Sequence, residues 1–394
     1  MRFLKGEFNL RRHICFSLTV ILLVVLVGCN AEKQPRHIGF AVMGSKEVYD
    51  YDSSFLNGVQ MAVEECNAVY GDEGFVVDCE FFDDGYNFEQ GLIISDTIAN
   101  DPQYTAVLGS HSFSILDATV SLFEENNKIL IAVNSMMDKS IVGKGYQNIF
   151  RNTAGEADFA KSLAVYAEKH GLKRMAVMYS ETEFEMNVVK NFSREAQSLG
   201  IPVLSYVTEV GLERSFQQTA DTWTALGIDG VFICRDAIND AFTLAKYVRS
   251  ASDSIRILGD FSFDASDKLT EYEQYIQGIV IPVLVPVTQS EKLANFERRY
   301  IDKYNEKPTW WAAHGYDTVR LVVDCAVELG TADPSKIARR IHELSEYNAT
   351  TGGITFRDDG AFVSDALAYS EIIGNRLVFK HLDNYEEGDV TAHE

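Results

Sequence analysis

Between residues 37 and 258, apolar runs of strand length alternate with amphipathic stretches of helix length, and the alternation runs through twice. Few folds accept such a pattern, because parallel strands need crossover helices and both faces of their sheet must be covered. The first pass predicts strands over 37–43, 75–82, 105–108 and 129–133. Between them fall helices over 55–70, 91–100 and 115–125, the first with Phe55, Val59, Ala62, Val63 and Cys66 on one face. The second pass opens after Arg151 with a helix over 157–170 ended by Gly171. Strands over 174–179, 202–208, 230–234 and 255–258 then alternate with helices over 185–199, 216–226 and 237–250. This is an α/β chain with two doubly wound parallel-sheet lobes.

The remaining sequence returns between the lobes. Residues 278–287, punctuated by Pro282 and Pro286, read as a strand leading to a crossover. Helices follow over 291–304, 309–329 and 334–344. Residues 351–380 read as short antiparallel strands with turns at Asp358-Asp359-Gly360 and Gly374-Asn375. In open parallel sheets ligands bind outside the carboxyl ends of strands, so functional residues are sought in the loops there.

The amino terminus carries a different signal. Arg2, Lys5, Arg11 and Arg12 precede an apolar stretch over 14–27, which closes on Leu26-Val27-Gly28-Cys29. That stretch suits a signal peptide and is short for a span of about 30 Å. Residues 1–28 are therefore expected to be a lipoprotein signal peptide, with Cys29 the lipidated residue and 29–36 a tether. A retained anchor is the alternative. The body is expected outside the cytoplasm, lipid-anchored to a membrane of the cell envelope, with several acyl chains giving stable attachment.

Four basic residues and one acid leave with residues 1–28, so the charge of −23 becomes −26 over 366 residues. Nucleic acid is excluded as a partner, because a polyanion would be repelled. Of the cysteines, Cys66, Cys79, Cys234 and Cys325 remain, with no CxxC spacing and with histidines too scattered for a zinc site. Cys66 on its helix and Cys79 on the next strand face one core. They pair as a disulfide or stay as two buried thiols.

Enzyme signatures are missing. There is no GxSxG elbow, Walker loop or HExxH, and Met43-Gly44-Ser45 stands where a dinucleotide fingerprint would begin. No cofactor or metal is implied. Asp83-Asp84 at the end of the second strand read as solvated or capping carboxylates, with metal or acid chemistry the alternative. Gly109-Ser110-His111-Ser112-Phe113-Ser114 joins a strand end to a helix start, where N–H groups and hydroxyls favour a carboxylate or phosphate. N-capping by Ser112 or Ser114 explains the same residues.

An ordered series of motifs runs through the chain: Gly58 with Ala62-Val63-Glu64-Glu65-Cys66-Asn67, Asp83-Asp84, and Gly109 with Ser112 and Ala118. Gly145-Tyr146-Gln147-Asn148-Ile149-Phe150-Arg151 follows, then Pro308 with Gly315-Tyr316-Asp317, and Gly352-Gly353-Ile354-Thr355-Phe356 with Gly360. In order and spacing the series resembles the branched-chain amino acid type of solute-binding protein that serves ABC importers, over nearly all of residues 37–380.

The resemblance implies a type I periplasmic-binding-protein fold, its lobes joined by a three-strand hinge and closing on a small ligand. Lobe 1 is expected over 37–153 plus 286–350, and lobe 2 over 154–285 plus 351–394. It also implies that Ser110, His111, Ser112 and Ser114, with Asn134, Ser135 and Met136, hold a ligand carboxylate. Lobe 2 departs from the pattern. Phe184-Glu185 stand where Tyr-Gly is common, Arg235-Asp236 replace a neutral or aromatic loop, and the usual ammonium-binding acid falls at Phe261, beside Asp260. Asp236 or Asp260 takes the ammonium instead, and Arg235 recognises a second anion or forms a solvated pair with Asp236. Tyr49 and Tyr51 cover the ligand or pack between lobes. The function implied is non-catalytic capture of a small polar solute, amino acid-like or an organic anion, for an ABC permease, by a monomer. A ligand sensor uncoupled from transport and a scaffold without ligand are the other readings.

Overall fold

The computed structural model describes residues 35–381, apart from 111, 134, 137–140, 142, 209–212, 236, 286 and 364–367. The predicted signal peptide and the lipidation site at Cys29 lie outside the described residues.

Strands β1 (Arg36–Gly44), β2 (Phe75–Asp83), β3 (Tyr104–Leu108), β4 (Ile129–Ala132) and β5 (Ile149–Arg151) form a parallel sheet in the order β2-β1-β3-β4-β5. After β1 come α1 (Lys46–Tyr51) and α2 (Ser54–Tyr70), after β2 α3 (Phe88–Asn100), and after β3 α4 (Phe113–Glu125). A second sheet contains β6 (Met175–Tyr179), β7 (Val203–Val207), β8 (Gly230–Cys234), β9 (Arg256–Gly259) and β10 (Val280–Pro282), all parallel. Its crossovers are α5 (Glu156–Lys169), which enters the lobe, α6 (Glu183–Ser198), α7 (Glu213–Leu226), α8 (Ile238–Ala251), and the short α9 (Ser266–Glu271) and α10 (Glu273–Ile276). The chain then returns to the first sheet through α11 (Glu291–Tyr304), α12 (Trp310–Leu329), α13 (Pro334–Glu343) and a small hairpin of β11 (Tyr347–Asn348) and β12 (Gly353–Ile354). Finally β13 (Ala368–Ile373) and β14 (Arg376–His381) add antiparallel to the second sheet, giving the order β14-β13-β10-β9-β8-β6-β7.

Burial follows position in the sheet. β8 is buried at every residue, as an inner strand covered on both faces must be, whereas the edge strands β2 and β7 alternate. Each sheet has a core on each face. α2, α11, α12 and α13 cover one face of the first sheet, and α3 and α4 the other. In the second lobe α7 and α8 oppose α5 and α6.

The contact between α2 and α12 is closest where glycines meet carbonyls. A Cβ on Gly58 would lie 1.9 Å from Ala312 O, and one on Gly315 would lie 2.5 Å from Phe55 O. Both glycines belong to the motif series, and backbone proximity is the physical reason for them.

Three segments connect the lobes. The first follows β5, and Ala154 N there donates to Leu284 O of the second segment at 2.8 Å. The third lies against the first, since Arg151 N donates to Gly360 O and Phe362 N to Arg151 O, each at 2.9 Å. Arg151 is fully buried at this junction, and its Nε donates to Thr153 O at 3.1 Å.

One expectation needs correction, and of the two readings left open for Cys66 and Cys79 the structure has the unpaired one. The sequence reading put everything after 350 in lobe 2, but Ile354, Phe356 and Phe362 pack in the first lobe's core, and the chain rejoins the second sheet only at Ala368. Cys66 and Cys79 are free thiols. Cys66 turns to α12, accepting from Arg320 Nη1 at 3.7 Å, while Cys79 donates to Gln60 Oε1 at 3.5 Å. Burial pushes these thiols up to about 12 and about 11 respectively.

Candidate functional site

In the first lobe the loops at the carboxyl ends of the strands are stitched together by two acids. Asp83 Oδ1 accepts from Lys46 N at 2.8 Å and from Gly85 N at 3.0 Å. Asp84, only 1% exposed, accepts from Ser110 Oγ at 2.6 Å and from Tyr86 N at 3.0 Å. Ser110 Oγ in turn accepts from Ser112 N at 3.1 Å. Gly109 allows the loop to pass: its φ is +123°, and a Cβ there would lie 2.1 Å from Met43 O. Ser110 is thus a buried brace, and Asp83-Asp84 are loop anchors.

Ser112 and Ser114 are different. Ser112 occupies the N-cap position of α4, yet its side chain makes no capping bond; the two hydroxyls lie 3.1 Å apart and Ser114 is exposed. Just beyond β4, Ser135 is 6% exposed and its Oγ has no partner among the described residues. Met136 packs in the second lobe's core, and its carbonyl accepts from Glu156 N at 2.9 Å and Arg151 Nη1 at 3.4 Å, so it braces the junction. Behind β4, His314 is buried, stacks on Trp311 at 5.7 Å and donates from Nε2 to Val133 O at 3.1 Å. Burial holds it neutral, its pKa lowered to about 4.

The second lobe offers an aromatic wall and an arginine. Phe184 and Phe261 lie 5.8 Å apart, ring centre to ring centre, both partly exposed. Glu185 is buried and accepts from Ser180 Oγ at 2.6 Å. Asp260 is 0% exposed: Oδ2 accepts from Arg235 N at 2.7 Å, and Oδ1 from Ser262 N at 3.0 Å and from Ser262 Oγ. Burial, with the Glu185 charge nearby, outweighs these bonds and raises its carboxyl to about 7. Arg235 Nε is buried without a partner among the described residues. Beside this wall Asp264 reaches solvent but is walled by protein on several sides, and that desolvation, helped by Asp52 of the first lobe, raises its carboxyl to about 6.

The carboxyl ends of the parallel strands in the two lobes, connected by three segments, therefore carry polar groups that no described residue engages. Residues 38–372 match the periplasmic binding protein family. The chain belongs to that family. No curated protein matches it. Among solved structures, the substrate-binding protein of an ABC transporter from Desulfitobacterium hafniense, in complex with Leu, is similar at a TM-score of 0.79 and 22% identity, covering 87% of this chain and 100% of that one. LivJ from Streptococcus pneumoniae, a branched-chain amino acid transporter substrate-binding protein in complex with isoleucine, gives 0.72 and 19% over 88% and 99%. A solute-binding protein from R. palustris in complex with benzoate gives 0.68 and 14% over 88% and 96%. These likenesses establish the fold, the type I architecture that the motif series implied.

Several expected ligand contacts of this periplasmic binding protein fall elsewhere. Tyr49 is buried within the first lobe, edge-on to Phe81 at 5.1 Å, because α1 folds it inward instead of over a ligand. Asp260 cannot meet an ammonium, since both oxygens are taken and no surface is exposed. His111, Asn134 and Asp236 lie outside the described residues. Sequence reasoning missed Asp264, four positions beyond Asp260 in the same strand-end loop. It also missed a cavity of about 340 Å³ beside the crossing segments, which Phe261 and Asp264 share with Leu284, Phe296 and Trp310. Among the described residues no cluster suits a metal ion, and no helix is long and apolar enough to cross a membrane.

Proposed function

We propose that this periplasmic binding protein captures a small solute with an anionic group between its lobes and passes it unchanged to the permease of an ABC importer. One observation carries the reading: each lobe holds a buried polar atom at a strand end that no described residue pairs, Ser135 Oγ in the first and Arg235 Nε in the second. Such an atom costs about 1–3 kcal/mol unless something bonds to it, and a carboxylate accepts from both. Ser112 and Ser114, at the start of α4, add hydroxyls where the helix favours negative charge. Phe184 and Phe261 supply the apolar wall. An ammonium on the same solute is assigned to Asp236, Asp260 being committed. The bound Leu, isoleucine and benzoate of the similar structures share a carboxylate, which supports this choice.

The working location belongs to the same proposal. A protein exported by residues 1–28 and lipidated on Cys29 would hold its cleft beside the permease. A thermal screen of amino acids, amides and carboxylates tests ligand capture. At a concentration 100 times the dissociation constant a ligand of the folded state adds about 2.7 kcal/mol, a visible melting shift. Arg235→Gln should weaken the hit about tenfold or more through loss of a charge-assisted bond. A hit that Arg235→Gln leaves untouched would refute the assignment of the anion.

A further inference from the structure

At the amino ends of the strands in the second sheet, away from the cleft, two arginines converge on one turn. Arg249 stands in the last turn of α8, and Arg256 opens β9. Arg249 Nη1 donates to Ile255 O at 2.6 Å, and Nη2 donates to Gln277 O at 3.2 Å, in the turn between α10 and β10. Arg256 reaches the same turn, its Nη1 lying 3.6 Å from where a Cβ on Gly278 would stand. At about 3.3 Å per residue along β9, Arg256 is about 13 Å from Asp260 and the strand-end loops of the cleft.

Neither guanidinium is hydrogen-bonded to a carboxylate. Both bonds of Arg249 end on backbone carbonyls. The acid beside Arg256 is Glu371 of β13, with Oε1 at 3.8 Å, beyond hydrogen-bond reach, and Lys380 of β14 holds its other oxygen. Among the described residues the Arg256 guanidinium has that ion pair and no hydrogen bond. Asp253 acts on Arg249 from the connection between α8 and β9, and His170 feels Arg256, Lys380 and Glu371 together. Burial first, and Arg256 next, hold the Arg249 guanidinium below its ordinary pKa, with Asp253 opposing. Burial above all also lowers the pKa of His170, which keeps it neutral near pH 7. Arg249, Arg256 and Lys380 therefore face Asp253 and Glu371, a positive balance on a chain whose net charge is −23.

Charge and shape select the occupant. Two guanidiniums at one partly buried turn repel each other unless an anion joins them, and a cation would add to the repulsion. A carboxylate has one pair of oxygens, which the fork of a single arginine satisfies. A tetrahedral oxyanion presents oxygens in several directions and a second negative charge, so each arginine can donate to it. The carbonyls of Ile255 and Gln277 hold Arg249 in place beforehand, which lowers the ordering cost of binding.

We propose that this turn is a phosphate-binding site, with Arg249 and Arg256 gripping the dianionic group of a phosphomonoester and Lys380 adding charge from β14. The site lies on the far side of the second lobe from the cleft and does not depend on the role given to Arg235. A soluble phosphate ester and the headgroup of an anionic lipid such as phosphatidic acid present the same group.

The test is calorimetric titration of the purified full chain at low ionic strength with glycerol phosphate, acetate, and dihexanoyl phosphatidic acid kept below its micellar concentration. Glycerol phosphate should bind about tenfold or more tightly than acetate, and Arg256→Gln should weaken it about tenfold or more. Arg256→Lys keeps the charge without the fork and should recover part of the loss. The Arg256 guanidinium makes no hydrogen bond to the fold, so an unchanged melting temperature in the absence of phosphate confirms that both variants fold. Arg235→Gln with Ser135→Ala should leave phosphate binding unchanged, which separates this site from anion capture in the cleft. Equal affinity for glycerol phosphate and the lipid supports the site with a soluble ligand; tighter binding of the lipid, lost in Arg256→Gln, supports it with a headgroup. The proposal is overturned if no heat is seen at millimolar glycerol phosphate, if acetate binds as tightly, if Arg256→Gln leaves binding unchanged, or if the cleft variant abolishes it.

Discussion

Ser110 Oγ donates to Asp84 Oδ2 at 2.6 Å, and both side chains are buried. This bond ties the loop after β3 to the end of β2. Ser110→Ala removes it and the bond from Ser112 N, leaving the carboxylate with Tyr86 N. The expected loss is about 1–3 kcal/mol of folding stability, read as a lower urea midpoint with unchanged slope. Solute affinity should fall with it, because Ser112 loses its support.

Gly58→Ala should be more damaging than an alanine in a helix ordinarily is. The added Cβ meets Ala312 O at 1.9 Å, backbone against backbone, so α2 and α12 must separate. Overpacking of this kind costs about 1–3 kcal/mol. Gly71→Ala, where nothing lies within 4 Å, is the control and should fall within about 0.5 kcal/mol of the parent in a denaturant titration.

Asp260 makes stability depend on pH in a direction opposite to a salt-bridged acid. Folded, its carboxyl keeps a proton to about pH 7, whereas unfolded it releases it near 3.8. The folded state binds more protons between those values, so stability falls as pH rises through them, by up to about 4 kcal/mol. Asp260→Asn has no such proton. Subtracting its stability from that of the parent at each pH should give a difference that declines from pH 4 to 7 and is flat above; a difference independent of pH would reject the assignment.

His314 acts with the other sign. Its folded pKa of about 4 lies below the ordinary 6.5, so its contribution is full above 6.5 and is lost as pH falls toward 4, by up to about 3 kcal/mol. His314→Gln keeps a donor for Val133 O and does not titrate. Its stability should be less acid-sensitive than that of the parent in that window, measured by chemical denaturation at stepped pH.

The lobes were legible in the sequence because inner parallel strands, covered on both faces, are nearly continuous apolar runs, as at β1 and β8. α1 was hidden, being six residues long with Tyr49 its one buried apolar side chain among those described. The same kind of limit applied to the site. A strand-end position marks Asp260 as a candidate ligand, but only the fold shows that Arg235 N and the Ser262 N–H and hydroxyl occupy its oxygens. The sequence leaves Ser112 open between capping and ligand binding, and only the fold shows that its side chain makes no capping bond. The hinge cavity collects residues from 261 to 377, a grouping that no local pattern announces.

The central claim is that the two lobes together hold a small solute. Native mass spectrometry of the full chain, purified gently, tests this most directly. A fraction of the protein should carry a small, stoichiometric mass addition that denaturation releases, and Arg235→Gln with Ser135→Ala should abolish it. Protein that carries no addition, and gains none when dialysed against the solute panel, would contradict the account.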